Sequence, residues 1–266
     1  MNKPSSSLIV STYNWPEALE LCLISIQAQH SLPDEVLIAD DGSGDETLKL
    51  IKRFQENFPI PLHHIWHPDN GFKLAEIRNK AIAEAKGDYI IQVDGDLILH
   101  PYFIDDHLRF AKPDTFVRAS RIYLDKSLSS SLIDNKSTNV SIFTRGLSNK
   151  FSALRIPFLW RIFEYSYKAH ELYEIHGCNM AYWRQNILSV NGYNENFKDW
   201  GPEDKELVVR LFNNGYKKRF IKMGALVFHL WHPENLKKNL HNNELEFYAL
   251  IDQKRTFCKL GLNQHI

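Results

Sequence analysis

Two aspartates flank a glycine directly after a hydrophobic run, in the sequence VDGD at residues 93–96. Carboxylates spaced like Asp94 and Asp96 can share one hard divalent cation, and the small Gly95 lets a diphosphate approach the backbone closely. Aspartates also end strands simply as turn formers. The motif therefore indicates a metal site only in combination with other suitable residues.

Two further turns carry charged residues that suit a nucleotide. In ADDGSGDE (39–46), Asp41 stands where a strand ends and can accept a hydrogen bond from the ring N–H of a pyrimidine, or can cap the next helix. In GFKLAEIRNKAI (71–82), Lys73 and Arg78 lie near a helix start, where cations and backbone N–H groups suit a phosphate. The alternative for both cations is an ordinary solvated helix surface.

The segment NFKDWGPEDKEL (196–207) combines an aromatic ring, a rigid turn and two acids. Trp200 offers a flat apolar face for a sugar ring, and Glu203 or Asp204 could take a proton from a hydroxyl. The alternative is a capped helix start, where the helix dipole favours acids. The composition favours a functional turn.

Histidines near the end of the last predicted strand are candidate metal ligands. In VFHLWHP (227–233), either His229 or His232 could complete a metal shell begun by Asp96. A lone histidine beside aromatic residues is more often structural, so this assignment also depends on its combination with the acidic motif.

Short apolar runs and helix-period segments alternate between residues 7 and 120, which is typical of crossover units that build a parallel sheet. We predict strands at 8–12, 35–41, 62–66 and 88–94, with helices after each of the first three strands. In open sheets of this kind, ligands bind beyond the carboxyl ends of the strands. Four residues fall at such ends and should line one crevice: Thr12, Asp41, His67 and Asp94.

The second half of the chain is less regular. Residues 125–150 are rich in Ser, Asn and Lys and are predicted to form a loop. Residues 151–168 mix aromatic and basic side chains, which predicts a helix packed on its own domain or an amphipathic surface that touches a membrane. The remaining predicted elements are a strand at 177–183, a helix at 184–190, a helix ending near 211, a strand at 225–229 and a charged C-terminal helix.

Bulk composition limits the classes of protein to consider. The 266 residues are 44% hydrophobic, enough for a substantial core, and 32 basic residues balance 32 acidic ones, so no net field attracts nucleic acid. Three cysteines are too few for a disulfide framework and too widely spaced for a zinc cluster. With no signal-peptide core and no long apolar run, we expect a cytoplasmic protein that does not span a membrane.

In combination, the motifs resemble the nucleotide-sugar-dependent family 2 glycosyltransferases, whose fold is the GT-A type of α/β domain. STYN, ADDGS, GFKLAEIRNKAI and VDGD occur in the family's order within about residues 7–120. GCNMAYWR, the region around WGPED and VFH, within about 177–229, are similar to the galactosyltransferase-type C-terminal region of bacterial chondroitin-synthase-like enzymes. The resemblance implies a mostly parallel Rossmann-like sheet with flanking helices, divided into a donor half (1–120), a variable segment (121–175) and an acceptor half (176–266).

The resemblance also implies roles for individual residues. Ser11, Tyr13 and Asp41 would hold the base, Lys73 and Arg78 would lie near the base or diphosphate, and Asp94 would lie by the ribose and metal. Asp96 and His229 would bind Mn²⁺ or Mg²⁺, Asp204 would be the catalytic base beside Glu203, and Trp200 and Asn179 would contact the acceptor. Pro202 replaces a glycine of the family's WGGED motif, which predicts a stiffer loop.

What the resemblance implies as a whole is inverting transfer of a hexose or N-acetylhexosamine, from a UDP-sugar, to a glycan or lipid-linked glycan at the inner face of the membrane. Three alternatives stay open beside it. The first is a non-catalytic module that binds a nucleotide sugar or glycan with the same fold. The second is a sugar nucleotidyltransferase, which TYNWPEA disfavours because it replaces a glycine-rich phosphate loop. The third is a polymerase, although this chain carries one set of motifs.

Overall fold

The chain folds into an α/β domain in this computed structural model, which describes residues 3–167, 171, 175, 177–197, 201–233, 247–248, 251 and 253–266. The strands are β1 (Ser6–Thr12), β2 (Glu35–Asp40), β3 (Leu62–Trp66), β4 (Tyr89–Asp94), β5 (Leu97–Leu99), β6 (Thr115–Ala119), β7 (Arg121–Tyr123), β8 (Asn179–Trp183), β9 (Lys217–Ile221) and β10 (Val227–His229). The helices are α1 (Pro16–Gln27), α2 (Asp45–Gln55), α3 (Leu74–Glu84), α4 (Phe103–Phe110), α5 (Lys126–Asp134), α6 (Trp160–Phe163), α7 (Arg184–Ser189) and α8 (Glu203–Asn213).

Seven strands form the main sheet in the order β3-β2-β1-β4-β8-β6-β9. The first four of these are parallel neighbours, as predicted for crossover units. Strand β8 is antiparallel to both β4 and β6, and β9 is parallel to β6. The predicted mostly parallel sheet with flanking helices is therefore confirmed, with one reversed strand joining its two halves.

Helix layers cover both faces of the sheet because its central strands are buried on both sides. In β1, Leu8 and Val10 belong to one apolar cluster and Ile9 belongs to another, as the two-residue period of a strand requires. The first cluster includes residues of α1, α2 and α4, and the second includes residues of α3 and α8. Packing in the core therefore holds the first turns of these helices in a fixed position relative to the ends of the strands.

A second, three-stranded sheet borders the carboxyl edge of the main sheet in the order β5-β10-β7. Strand β10 runs antiparallel to β5 and parallel to β7, with His229 opposite both Leu97 and Tyr123. Because β5 begins directly after Asp96, this pairing brings a histidine from late in the chain to the VDGD motif. The Leu230 N–H donates to the Asp96 carbonyl at 3.0 Å and closes the contact.

Two predictions for the variable segment were wrong. The predicted loop at 125–150 contains α5, which Asp125 caps by accepting a hydrogen bond from the Leu128 N–H at 2.8 Å. Residues 151–168 were predicted as a helix packed on its own domain or as an amphipathic surface. Their described part, 151–167, is not one helix: it forms 3₁₀ turns at Lys150–Ala153 and Pro157–Leu159 and the single turn of α6. Pro157 supplies no N–H and disfavours helical geometry in the residue before it, so a continuous helix cannot pass through.

No helix among the described residues is both long enough and apolar enough to cross a bilayer. The predicted charged C-terminal helix falls largely on residues 234–246, outside the described residues.

Candidate active site

A cleft of about 630 Å³ opens where β1, β2 and β4 end and where the small sheet begins. Its position matches the rule that ligands of open α/β sheets bind at the carboxyl ends of the strands. Its walls contain the predicted Ser11, Thr12, Tyr13, Asp41, Asp94, Asp96 and His229, together with Trp15, Arg121, Tyr123, Trp231 and His232. The structure thus brings together most of the residues predicted to bind a nucleotide and a metal.

Asp41 is held rigidly at one end of the cleft. Its carboxylate lies 2.7 Å from His67 Nε2 and accepts a hydrogen bond from the Lys73 N–H at 2.9 Å. Burial raises the pKa of Asp41, while these two hydrogen bonds act in the opposite direction. His67, predicted to line the crevice, instead lies behind Asp41, with its Nδ1 3.1 Å from Lys80 Nζ.

Tyr13 lies on the outer side of the same end. Half of its side chain is exposed, and its hydroxyl donates to Asp69 Oδ2 at 2.9 Å, a hydrogen bond that raises the pKa of the phenol. The ring is therefore tethered at its tip while its face remains open to a flat ligand.

Arg78 forms ion pairs with three carboxylates: Asp94 comes from the first half of the chain, and Glu203 and Asp204 come from the second. Its side chain is only 1% exposed and lies 3.0 Å from Asp94 Oδ1, 3.0 Å from Asp204 Oδ1 and 3.5 Å from Glu203 Oε1. Burial opposes its charge, but the surrounding acidic groups, Asp204 foremost, together outweigh that effect, and the net result is a raised pKa for Arg78. The structure therefore makes Arg78 a buried counter-ion of the acids rather than a wall of the cleft.

Asp204 is oriented by backbone as well as by Arg78. Its Oδ2 accepts a hydrogen bond from the Gly177 N–H at 2.9 Å, and a Cβ at residue 177 would lie only 2.2 Å from the carboxylate oxygens. Glycine is therefore required there by space. Glu203 begins α8 beside it, and burial, followed by the charge of Asp204, raises the pKa of Glu203 to about 8.

A buried amide supports Gly177 from the sheet. The Gln92 Nε2 donates to the Gly177 carbonyl at 2.8 Å, while the Gln92 Oε1 accepts from the hydroxyls of Tyr182 and Tyr193 at 3.0 and 2.9 Å. The ring of Tyr193 also lies 5.3 Å from the Arg78 guanidinium. This network, which the sequence analysis did not identify, connects β4 and β8 to the acids at the start of α8.

Asp96, His229 and His232 form a group that fits a metal ion. One ligand atom from each residue lies within 4.8 Å of the others, and the two histidine Nε2 atoms are 3.3 and 3.4 Å from Asp96 Oδ2. The Asp96 Oδ1 and His229 Nδ1 atoms are buried and have no hydrogen-bond partner among the described residues. Oxygen and nitrogen donors of this kind suit a divalent metal ion. Both histidines, and not only His229, are placed to serve as ligands.

Asn179 occupies a different place from the one expected for an acceptor residue. It is 1% exposed, its amide donates to the carbonyls of Ser120 and Ala225 at 3.1 and 2.9 Å, and its Oδ1 lies 3.0 Å from His107 Nε2. Both polar atoms of its side chain are hydrogen-bonded inside the protein, so Asn179 is not placed to contact an acceptor. Trp200, the other predicted acceptor residue, lies outside the described residues.

Arg121 and Tyr123 also line the cleft, and the sequence analysis did not identify either of them. They lie on β7, a strand of three residues, which is too short for a recognisable alternation of apolar and polar positions. His232 and His67, in contrast, were visible as histidines next to strand ends, although spacing alone did not assign their roles.

Family models match both halves of the chain. A model described as Glycosyl transferase family 2 matches residues 7–187, and a model of the N-terminal domain of galactosyltransferase matches residues 159–233. The first match spans the cleft walls formed by β1, β2 and β4, and the second ends at the histidines of the metal group.

Similar proteins include two bacterial chondroitin synthases. The chain is 26% identical over 237 residues to chondroitin synthase of Escherichia coli, covering 84% of this chain and 34% of the relative. It is 27% identical over 249 residues to chondroitin synthase of Pasteurella multocida (strain Pm70), covering 84% of this chain and 24% of the relative. The chain therefore spans about a quarter to about a third of the length of these relatives.

Solved structures share the fold at low sequence identity. A mannosyltransferase from Pyrobaculum calidifontis in complex with GDP-Man and Mn2+ aligns with a TM-score of 0.63 at 17% identity, covering 95% of this chain and 65% of that one. S. aureus TarS in complex with UDP aligns with a TM-score of 0.64 at 16% identity, covering 98% and 68%. These neighbours have the GT-A fold predicted from the sequence.

Proposed function

This chain belongs to glycosyltransferase family 2, and we propose that it transfers a hexose or N-acetylhexosamine from UDP to a hydroxyl of a growing surface glycan, with inversion at the anomeric carbon. The observation that carries the proposal is the placement of a metal-competent group in the wall of one cleft and of two acids, Glu203 and Asp204, that Arg78 links to Asp94 of the same wall. A transferase of this kind needs one group for the leaving diphosphate and another for the attacking hydroxyl.

The donor half of the cleft suits a uridine nucleotide. Asp41, fixed by His67 and the Lys73 N–H, presents a carboxylate that can accept the ring N–H of uracil. The open face of Tyr13 can stack on the base, and Ser11 and Asp94 lie further along the same wall towards the metal group. The UDP and GDP-Man complexes of the two structural neighbours support a nucleotide sugar as the ligand class.

Asp96, His229 and His232 would hold Mn²⁺ or Mg²⁺, which supplies positive charge next to the diphosphate. Asp204 would take the proton of the acceptor hydroxyl, and its orientation is set by Arg78 and by the Gly177 N–H. Glu203, the other acid proposed as catalytic, lies next to it at the start of α8. General base assistance of this kind contributes typically ~10²–10⁴-fold to rate.

The acceptor side of the proposal includes a membrane surface. Phe151, Phe158 and Ile162 are 63–80% exposed, and the basic Lys150 and Arg161 are exposed beside them in the chain. Two residues anchor this segment to the domain. Trp160 is buried, and Arg155 forms an ion pair with Asp106, with 2.6 Å between Nη2 and Oδ1. Exposed aromatic and basic side chains on an anchored segment suit an anionic lipid interface, so we include a lipid-linked glycan at the inner face of the membrane as the acceptor.

A panel of UDP- and GDP-sugars, screened with Mn²⁺ for thermal stabilisation and for transfer to glycan acceptors, tests the proposal. We expect a UDP-sugar to stabilise the native chain and to be turned over. Asp204→Asn should still bind that donor but transfer at a rate lower by about 10² or more. Stabilisation of the native chain by a donor without any hydrolysis or transfer would instead identify a binding module, and loss of donor binding in Asp204→Asn would show that the residue is wrongly assigned.

A further inference from the structure

The cations that the sequence suggested for the diphosphate are engaged elsewhere. Lys73 Nζ lies 3.0 Å from Glu76, and Arg78 is enclosed by three carboxylates. Neither side chain belongs to the walls of the cleft. A diphosphate bound there would therefore need its positive charge from another residue in addition to a metal.

Arg121 is placed to supply that charge. It lines the cleft together with Asp94 and Asp96, and it lies on the small sheet one strand away from His229. Tyr123, two residues further along β7, is directly opposite His229, with the two rings 5.2 Å apart. Because residues two apart on a strand share a face, Arg121 points to the same side as the metal histidine.

The contacts of Arg121 hold the guanidinium without neutralising it. Its Nε donates to the Tyr123 hydroxyl at 2.7 Å, its Nη1 donates to Cys178 Sγ at 3.4 Å, and its charge lies 4.8 Å from the centre of the Tyr123 ring. In the described part of the chain it pairs with no carboxylate, and its Nη2 makes no hydrogen bond. An oriented, partly buried arginine with free donors is a suitable phosphate ligand.

We propose that Arg121 contacts the diphosphate of the donor and stabilises the leaving group, an assignment that rests on the proposed function. As the acceptor oxygen bonds to the anomeric carbon, the bond from that carbon to the diphosphate oxygen breaks and its electron pair goes to the diphosphate. The acceptor proton goes to Asp204. The diphosphate gains one negative charge in this step, and a fixed guanidinium beside it lowers the energy of that change.

Binding of UDP and of uridine to charge variants separates this role from a structural one. Arg121→Gln and Arg121→Met replace the guanidinium with a neutral polar and a neutral apolar side chain. Arg121→Lys keeps a positive charge but lacks the planar guanidinium. UDP affinity is measured by calorimetry and uridine affinity by ligand-observed NMR, at one fixed Mn²⁺ concentration. Arg109→Gln is the matched control, because Arg109 is exposed and pairs with Asp105 on α4.

We expect the ratio of UDP to uridine affinity to fall about 10-fold or more in the Gln and Met variants, which is the loss expected for one charge-assisted hydrogen bond. Arg121→Lys should recover part of the loss, and Arg109→Gln should leave the ratio unchanged. An unchanged ratio in whichever neutral variant folds would overturn the assignment while leaving the proposed function intact. Failure of the native chain to bind UDP, by contrast, would count against the proposed function itself.

Discussion

The Gly177 N–H and the Asp204 carboxylate meet at 2.9 Å, across a gap that has no room for a methyl group. The turn that precedes β8 thus places a backbone amide directly against a side chain of α8. Asp204 is positioned from two sides by this amide and by Arg78, so its location depends on a residue without any side chain of its own.

A methyl group at residue 177 should displace Asp204. We expect Gly177→Ala to lower transfer by about 10² or more and to lower stability by about 1–3 kcal/mol. UDP affinity should be retained because neither Gly177 nor Asp204 lines the cleft. Steady-state kinetics, calorimetry and urea unfolding measure the three effects. Gly44→Ala is the control, since its Cβ would be 3.9 Å from the nearest atom. Normal turnover by Gly177→Ala would mean that the position of Asp204 does not matter.

Removal of metal ligands should reduce Mn²⁺ binding in steps. At a Mn²⁺ concentration about 100 times its Kd, binding should stabilise the native chain by about 2.7 kcal/mol. Asp96→Asn should lose this stabilisation and all transfer, while His229→Asn and His232→Asn should each weaken Mn²⁺ binding roughly tenfold or more. His30→Asn, an exposed histidine on another side, serves as the control. Unchanged Mn²⁺ affinity in His232→Asn would remove that residue from the site, and activity of Asp96→Asn in chelator would exclude the metal assignment.

Glu203 should make the stability of the fold depend on pH. Burial and then the charge of Asp204 raise its pKa to about 8, whereas in the unfolded chain the carboxyl titrates near ~4.3. Between these values the folded state holds a proton that the unfolded state has released, so stability falls as pH rises through this window.

Glu203→Gln keeps the neutral form at every pH. Its stability advantage over the native chain should therefore grow between about pH 5 and about pH 9, reaching about 1 kcal/mol or more. Urea unfolding at both pH values measures the difference, with the exposed Glu56→Gln as control. An advantage that is the same at both pH values would show that the Glu203 carboxyl is not perturbed by its surroundings.

Binding to lipid vesicles should depend on the exposed aromatic side chains of the variable segment. Replacing Phe151 and Phe158 with serine should weaken flotation with anionic vesicles by roughly tenfold or more. Each replacement removes the favourable free energy of moving an aromatic ring from water to the lipid interface. Ile266→Ser, a change at another exposed apolar residue, is the control. Equal flotation of the double variant and the native chain would count against a membrane surface at this segment.

The donor half of the fold was predictable because three of its strands, β1, β2 and β4, are buried along almost their whole length and contain short apolar runs. Strand β3 was predicted at its observed bounds, and β1 begins only two residues earlier than predicted. The small sheet was not predictable to the same degree. Strands β5 and β7 have three residues each and depend on pairing with β10 from a distant part of the chain. The sequence around Arg121 therefore does not show that this residue lies on a strand beside the cleft.

The candidate site shows the same difference between local and distant information. Asp41, Asp94 and Asp96 were identifiable because a strand end and a turn are encoded nearby. The burial of Arg78 was not, because Asp204 and Glu203 come from more than 120 positions away. Likewise, nothing in the sequence around Asn179 indicates that its side-chain amide donates hydrogen bonds to the carbonyls of Ser120 and Ala225.

The antiparallel pairing of β6 with β8 means that the chain leaves the main sheet after Ala119 and re-enters it at Asn179 beside the point of departure. The hydrogen bond from Asn179 to the Ser120 carbonyl ties the two ends together. The described part of the chain between them also packs on the domain, because β7 pairs with β10 and Trp160 lies in the same apolar cluster as residues of β1 and β6. An exchange of this segment between relatives would therefore replace one wall of the cleft together with the exposed aromatic side chains.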